Sequence, residues 1–272
     1  TSEVLVKAGT CVIRNSQGNS LQAARSIDWL MLKRVHPLAH LPQTPNMDSG
    51  DTTQSQATVP PLCCRLCCRM TEKPSACSVC GQSACPSLRI SAVQRGCVPG
   101  CMDDNIQIIA EETAKAKDAG SRLVVFPELF LSGYHLPDTT SFADVAVSLE
   151  SAEVRAVQTI ARQHGVYIVI SWPEAAEEQK IYNAAALIGP NGAVRLHYRK
   201  VHLWSDYEQQ NFAPGGGVVS NPACDEANPD CVCIDGIHVC LMVCYDVEFP
   251  EWLRTLRLRN PALQLAIVPT AC

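Results

Sequence analysis

Residue 88 separates two stretches of this chain that follow different rules. After it, short apolar runs alternate with helical periodicity, the pattern of an α/β fold. Residues 88–94 read as a strand. Next, Ile106, Ile109, Ala110, Thr113, Ala114 and Lys117 share one helical face, with Asp103 and Asp104 at N-cap positions and Gly120 at C′. Residues 123–126 are an uninterrupted apolar run, as in a buried strand, and Pro127-Glu128 follow at its carboxyl end. A second helix is expected over 152–164, turning Val154, Val157, Ile160 and Ala161 inward and stopping at Gly165. A strand over 166–171 comes next. Residues 183–188 and 193–198 flank Asn191-Gly192, a hairpin signal, and Asp235-Gly236 leads a second hairpin into 238–244. A helix over 250–259 begins with Pro at its permitted first position, and 265–268 is the last strand.

Before residue 88 the periodicity is poor. Residues 38–61 are rich in Pro, Gln, Thr and Ser and read as a linker, and 26–35 suit a short helix. Ten of the 16 cysteines lie at or before Cys101. Cys64-x-x-Cys67 and Cys77-x-x-Cys80 have the form of a zinc site. The gap between the pairs is shorter than the roughly 15–20 residues usual in such modules, and Cys63, Cys68 and Cys85 leave the pairing ambiguous. The expectation is a poorly ordered Cys-rich leader over 1–87 with no metal site assigned, a zinc module being the alternative, followed by a domain over 88–272.

Composition restricts the partners. An apolar fraction of 47% over 272 residues fills a substantial core. A net charge of −5 offers no basic surplus to displace counterions from phosphates, so nucleic acid is not an expected partner. No apolar run approaches the roughly 18 residues that span a bilayer, and no signal peptide is visible. No membrane partner and a cytoplasmic location are therefore expected.

Three segments each put a reactive side chain at the end of a strand: Phe126-Pro127-Glu128, then Arg199-Lys200-Val201-His202-Leu203-Trp204, then Cys244-Tyr245-Asp246-Val247-Glu248-Phe249-Pro250-Glu251. In open α/β sheets the strand ends are where clefts form, so a carboxylate, an ammonium and a thiol can converge from distant stretches. Taken alone, each has an ordinary reading. A cysteine at a strand end is usually a small buried hydrophobe, a lysine there is solvated, and a glutamate after proline is a turn residue. The three together, in order, reverse that preference.

These segments resemble the nitrilase superfamily of carbon–nitrogen hydrolases, which carries a Glu in a Phe-Pro-Glu turn, a Lys in Arg-Lys-x-His-Leu and a Cys in Cys-Tyr-Asp-x-x-Phe-Pro-Glu. The stretch from Tyr207-Glu208 to Phe212-Ala213-Pro214-Gly215 resembles a fourth element, which contributes a second glutamate, here Glu208. Val268-Pro269-Thr270-Ala271 matches the strand after the nucleophile helix. The resemblance implies a nitrilase-like α-β-β-α sandwich, incomplete because family members continue past the Pro-Thr-Ala strand. It also implies a homo-oligomer.

What the resemblance implies chemically is also legible in the residue types. Cys244 is the expected nucleophile, with the positive end of the following helix and the Tyr245 amide favouring a thiolate. Glu128 exchanges protons with the thiol and the leaving amine, Lys200 meets the oxyanion, and Glu208 orients Lys200 or the amide nitrogen. Tyr134, Trp204 and Tyr245 are expected to bind substrate, and Trp172 to line the same cleft or pack at its rim. His197 and His202 suit packing or loop roles better than a Cys–His pair, and Glu251 suits the first turn of its helix. The expected reaction is hydrolysis of a small linear amide or N-carbamoyl compound through a thioester, with no cofactor. Tyr245 directly after the thiol favours amides over nitriles. The alternatives are a nitrilase, or a truncated inactive remnant with a structural or regulatory role.

Overall fold

The computed structural model describes residues 87–222 and 226–271 in full, together with the backbone of four strands before residue 35. Residues 1–35 and 86–272 form one compact unit and 36–85 another. The second unit, with its Cys-x-x-Cys pairs and the zinc reading attached to them, lies outside the described residues.

The early strands are β1 (Ser2–Lys7), β2 (Thr10–Arg14), β3 (Ser20–Leu21) and β4 (Leu30–Arg34). They fall inside the stretch expected as a poorly ordered leader. At 30–34 a strand replaces the short helix expected over 26–35. Strand addition at a sheet edge needs only backbone N–H and C=O groups, so it leaves no side-chain pattern to read. The main run follows as β5 (Ser87–Ala92), α1 (Met102–Asp118), β6 (Leu123–Val125), α2 (Phe142–Val145), α3 (Ala152–His164), β7 (Tyr167–Ala175), β8 (Ile181–Ile188) and β9 (Val194–Arg199). It continues with α4 (Ser205–Asn211), β10 (Gly217–Ser220), β11 (Val232–Ile234), β12 (Ile237–Leu241), α5 (Pro250–Arg259) and β13 (Leu265–Pro269).

Among the described residues these strands make two sheets. The larger runs β10-β9-β8-β7-β6-β5-β1-β2-β3, and the smaller runs β11-β12-β13-β4. Strands β5, β6 and β7 pair in parallel, as do β12 and β13. Side-chain alternation sorts the core into layers. Leu88, Ile90, Ala185 and Leu187 of the larger sheet meet Val239, Leu241, Leu265 and Ile267 of the smaller. The opposite face of the larger sheet, with Ile168, Ile170, Ala184 and Ala186, packs against Ile109 of α1 and Val157 and Ala161 of α3. On the far side, Cys240, Met242, Ala266 and Val268 pack against Leu256 of α5. The order is helix, sheet, sheet, helix: an α-β-β-α sandwich.

Local signals place most elements. Ser151 caps α3 by accepting the Val154 N–H, and Gly165 ends it at φ +62°, a conformation cheap only for glycine. Asp235 and Gly236 (φ +48° and +83°) form the two-residue turn between β11 and β12. The buried face of α1 keeps Ile109 and Thr113 of the expected one but is rotated by one position. Its buried residues are Asn105, Ile108, Ile109, Glu112, Thr113 and Ala116, with Ile106 and Ala110 partly buried at the margin of the same core. Asn105 causes the rotation by donating to the Val98 and Leu131 carbonyls and accepting the Val98 N–H. A satisfied buried amide looks like surface in an apolar pattern. Cys101, and neither Asp103 nor Asp104, is the N-cap residue; the two aspartates lie in the first turn, where the helix dipole favours them. Among the described residues, no helix is long and apolar enough to cross a membrane.

Candidate active site

Glu128 stands three residues past the end of β6, on a turn closed by the Ser132 and Gly133 amides donating to the Leu129 carbonyl, with Leu129 at φ +50°. Lys200 directly follows β9, where its amide donates to the Asn183 carbonyl of β8 at 2.9 Å. Gly215 lies against the backbone there: a Cβ would come within 2.6 Å of the Arg199 carbonyl carbon, so only glycine fits. Glu208 projects from α4. Cys244 opens the tight helical turn Cys244–Glu248 between β12 and α5, at φ +43°. That conformation costs a non-glycine residue about 1–2 kcal/mol, so the surrounding contacts must hold it.

These four side chains meet between the two sheets. Lys200 Nζ donates to Glu128 Oε1 and to Glu208 Oε1, both at 2.7 Å, and all three side chains are inaccessible to solvent. Tyr134 donates its hydroxyl to Glu208 Oε1 at 2.8 Å. The Trp204 amide donates to Glu208 Oε2 at 2.7 Å. Glu128 also accepts from Asn183 Nδ2 at 2.8 Å and from the Ala271 amide at 3.0 Å. Cys244 completes the cluster: its thiol lies within the fields of Glu128, Lys200 and Glu208.

The electrostatics follow from burial and charge. Burial pulls the Lys200 ammonium down, but the Glu128 and Glu208 carboxylates outweigh it and hold the group protonated. Burial pushes Glu208 up, against the pull of Lys200. The Cys244 thiol is pushed well above its ordinary value, first by burial and then by the Glu128 charge, with Lys200 opposing. This corrects the expectation of a thiolate favoured by a helix terminus. Cys244 itself opens a tight turn, α5 begins only at Pro250, and the Glu128 charge acts on the thiol more strongly than the Lys200 charge. Burial and the Glu128 charge both favour the neutral thiol at Cys244.

The family model for carbon–nitrogen hydrolases matches residues 89–270. The chain belongs to the carbon–nitrogen hydrolase family. A hydrolase in the pqqF 5′ region of Pseudomonas protegens is 32% identical over 74% of this chain and 66% of its own length. An (R)-stereoselective amidase from a Pseudomonas species is 34% identical over 49% of this chain and 43% of its own. Among solved structures, an amidase from a Nesterenkonia species superposes with a TM-score of 0.56 at 31% identity, covering 68% of this chain and 65% of that one. In each case the chain spans less than two thirds of its relative. Variants of the Nesterenkonia amidase carry acrylamide or the acetamide moiety of fluoroacetamide covalently added at its active-site cysteine.

Within this family frame, the other sequence-derived residues sort by what they touch. Trp204 joins the cluster through its backbone, while its side chain is 50% exposed. The Tyr245 ring packs edge-on against Phe249 at 5.1 Å. Trp172 does not line the cleft: it is fully buried on the helical side of the larger sheet, stacked on His197 and donating to the Val147 carbonyl. His197 and His202 are each engaged by a carboxylate, Glu174 and Asp246 respectively. Glu251 lies in the first turn of α5.

Glu174 carries a pH prediction. Burial raises its carboxyl, but hydrogen bonds from Arg199 and His197 outweigh this and hold it below the ordinary 4.5. A depressed carboxyl stabilises the fold above its unfolded value and loses that contribution as pH falls through the folded one. Glu174→Gln is therefore expected to cost about 1–3 kcal/mol at pH 7. The deficit relative to wild type should shrink as pH drops below about 4.5. Thermal unfolding from pH 7 to pH 3 checks this, and a deficit independent of pH would contradict it.

Asn183 was not singled out from sequence. The available signal was a polar residue on the same strand face as Ala185 and Leu187, which both point between the sheets. Its amide is one of three donors to Glu128, so Asn183→Leu is expected to cost about 1–3 kcal/mol and to lower kcat/KM about tenfold or more. Denaturant unfolding beside steady-state kinetics would test both numbers.

Proposed function

We propose that this family member hydrolyses a small linear amide to a carboxylate and ammonia, with Cys244 as nucleophile, Glu128 as general acid and base, and Lys200 as the electrostatic partner of the oxyanion. The observation that carries this reading is the buried Glu128–Lys200–Glu208 bridge with the Cys244 thiol in the field of all three groups. A raised thiol suits attack coupled to proton transfer. As sulfur bonds to the amide carbon, the thiol proton passes to Glu128. The developing oxyanion meets the Lys200 ammonium and the Tyr245 amide. Glu128 then returns the proton to the amine, which leaves as ammonia, and a thioester remains on Cys244. Water attacks the thioester while Glu128 takes its proton, the carbon–sulfur bond breaks, and the proton returns to sulfur.

Glu208 serves this scheme by fixing Lys200 from the side opposite Glu128, with Tyr134 holding Glu208 in turn. The covalent adducts that acrylamide and fluoroacetamide form at the active-site cysteine of the related amidase support a reactive thiol in this role. The reading includes a homo-oligomer, which the family resemblance implies, and a cytoplasmic location; sedimentation and fractionation check them. The decisive test is ammonia release from a panel of linear amides, N-carbamoyl compounds and nitriles. Turnover of amides well above the other two classes is expected. Turnover of nitriles alone would replace amidase by nitrilase, and none from a folded chain would remove the activity.

A further inference from the structure

We infer that Asp246 is a positioning residue that sets the alignment of the Cys244 sulfur with Glu128 and Lys200. The inference rests on the amidase reading of the site and adds a part to it. Asp246 lies two residues past Cys244 and is fully buried. Its Oδ1 accepts the His202 amide at 2.8 Å and pairs with His202 Nδ1 at 2.8 Å. Its Oδ2 accepts the Tyr198 hydroxyl at 2.8 Å and the Val243 amide at 3.2 Å. Tyr198 and His202 are the residues two before and two after Lys200, and Val243 directly precedes Cys244. One carboxylate thus ties both flanks of the lysine to the residue that carries the nucleophile.

The surroundings fix the carboxylate in turn. Trp252 donates Nε1 to the Tyr198 oxygen at 3.0 Å, so the tyrosine proton is directed to Asp246. The His202 ring stacks on Phe249 at 3.8 Å with planes 11° apart. The N–H of Val243 has its acceptor in Asp246 immediately before the left-handed Cys244. Releasing that amide frees the turn to leave φ +43° and carries the sulfur with it. A thiol must hand its proton to Glu128 along one direction, so a small displacement weakens the attack without changing which groups are present.

Asparagine is the discriminating substitution. Asp246 faces two backbone N–H donors, one on each oxygen. An amide offers one oxygen and one NH2, so in either orientation Asp246→Asn turns a donor toward a donor and releases one of the two segments. The experiment uses the full chain and measures kcat, KM, thermal unfolding and the second-order rate of Cys244 alkylation by fluoroacetamide. In Asp246→Asn, kcat and the alkylation rate are expected to fall together by about 10²-fold, with KM within about threefold.

Asp230→Asn is the control: it disturbs a comparably buried carboxylate that binds Asn260 and Arg259 beside α5, and it should lower thermal stability while alkylation stays at the wild-type rate. Tyr198→Phe removes one of the four contacts without adding a donor and should lower alkylation about three- to tenfold, which keeps the test decisive if the asparagine variant does not fold. Alkylation at the wild-type rate in folded Asp246→Asn, or in Tyr198→Phe when the former is unfolded, overturns the inference. So does a loss confined to KM or equalled by Asp230→Asn. Alkylation does not require turnover. A wild type that is alkylated at Cys244 but hydrolyses no amide would therefore defeat the amidase reading while still deciding the role of Asp246.

Discussion

Cys244→Ala is expected to lower amide hydrolysis on the order of 10⁴-fold or more while barely changing stability. The loss follows because the remaining groups of the cluster can move protons and stabilise charge, but none can form the thioester. The small stability effect follows from three features. Cys244 is only partly buried, alanine occupies φ +43° with much the same strain as cysteine, and a protonated thiol takes no charge with it. Ammonia release and thermal unfolding, measured side by side, check both halves. Intact-mass analysis adds a third readout: an acyl adduct should appear with slowly deacylating amides on wild type only. Full turnover in the alanine variant would defeat the assignment of Cys244.

Lys200→Met is expected to lose activity and also to cost about 3–5 kcal/mol at pH 7, because it leaves two carboxylates buried together without their cation. In wild type the sign is simple. The lysine is held above its ordinary 10.5, so its contribution is fully present below that value and is lost only as pH rises through the folded one. Between pH 5 and 8 it is constant. In the variant, Glu208, already raised by burial, loses the opposing pull of the ammonium. Its folded form then binds a proton that the unfolded chain does not, so stability rises as pH falls. The gap between variant and wild type should narrow from pH 8 to pH 5 in thermal unfolding. An unchanged gap would mean that the carboxylates find another cation or water.

Both predictions use residues that could be named from sequence, and the reason is physical. Glu128, Lys200 and Cys244 follow strands whose pattern is local, an apolar run in β6 and an alternation in β9, so each could be placed at a strand end before any fold was known. The α3 helix, with its cap, its inward face and its glycine stop, was legible for the same reason. The face of α1 was not, because Asn105 and Glu112 are buried polar residues that reach partners on other segments, Leu131 and Arg95 respectively. Trp172 was drawn to the cleft by its chemistry, whereas strand parity sends it to the helical side of the sheet.

Residue types and local periodicity therefore determined which reactive groups this chain possesses and that they stand at strand ends. The three-dimensional fold decided what those groups do to one another. Lys200 meets Glu128 across 72 positions of sequence, and Asn183 meets it across 55. Asp246 reaches Tyr198 across 48, which no local pattern announces. The protonation of Cys244 belongs to the same category. A helix terminus read from neighbouring residues pointed to a thiolate, while burial and a carboxylate from a distant strand make it a thiol. Burial and Coulomb interactions depend on distances in space, and only packing the two sheets together sets those distances.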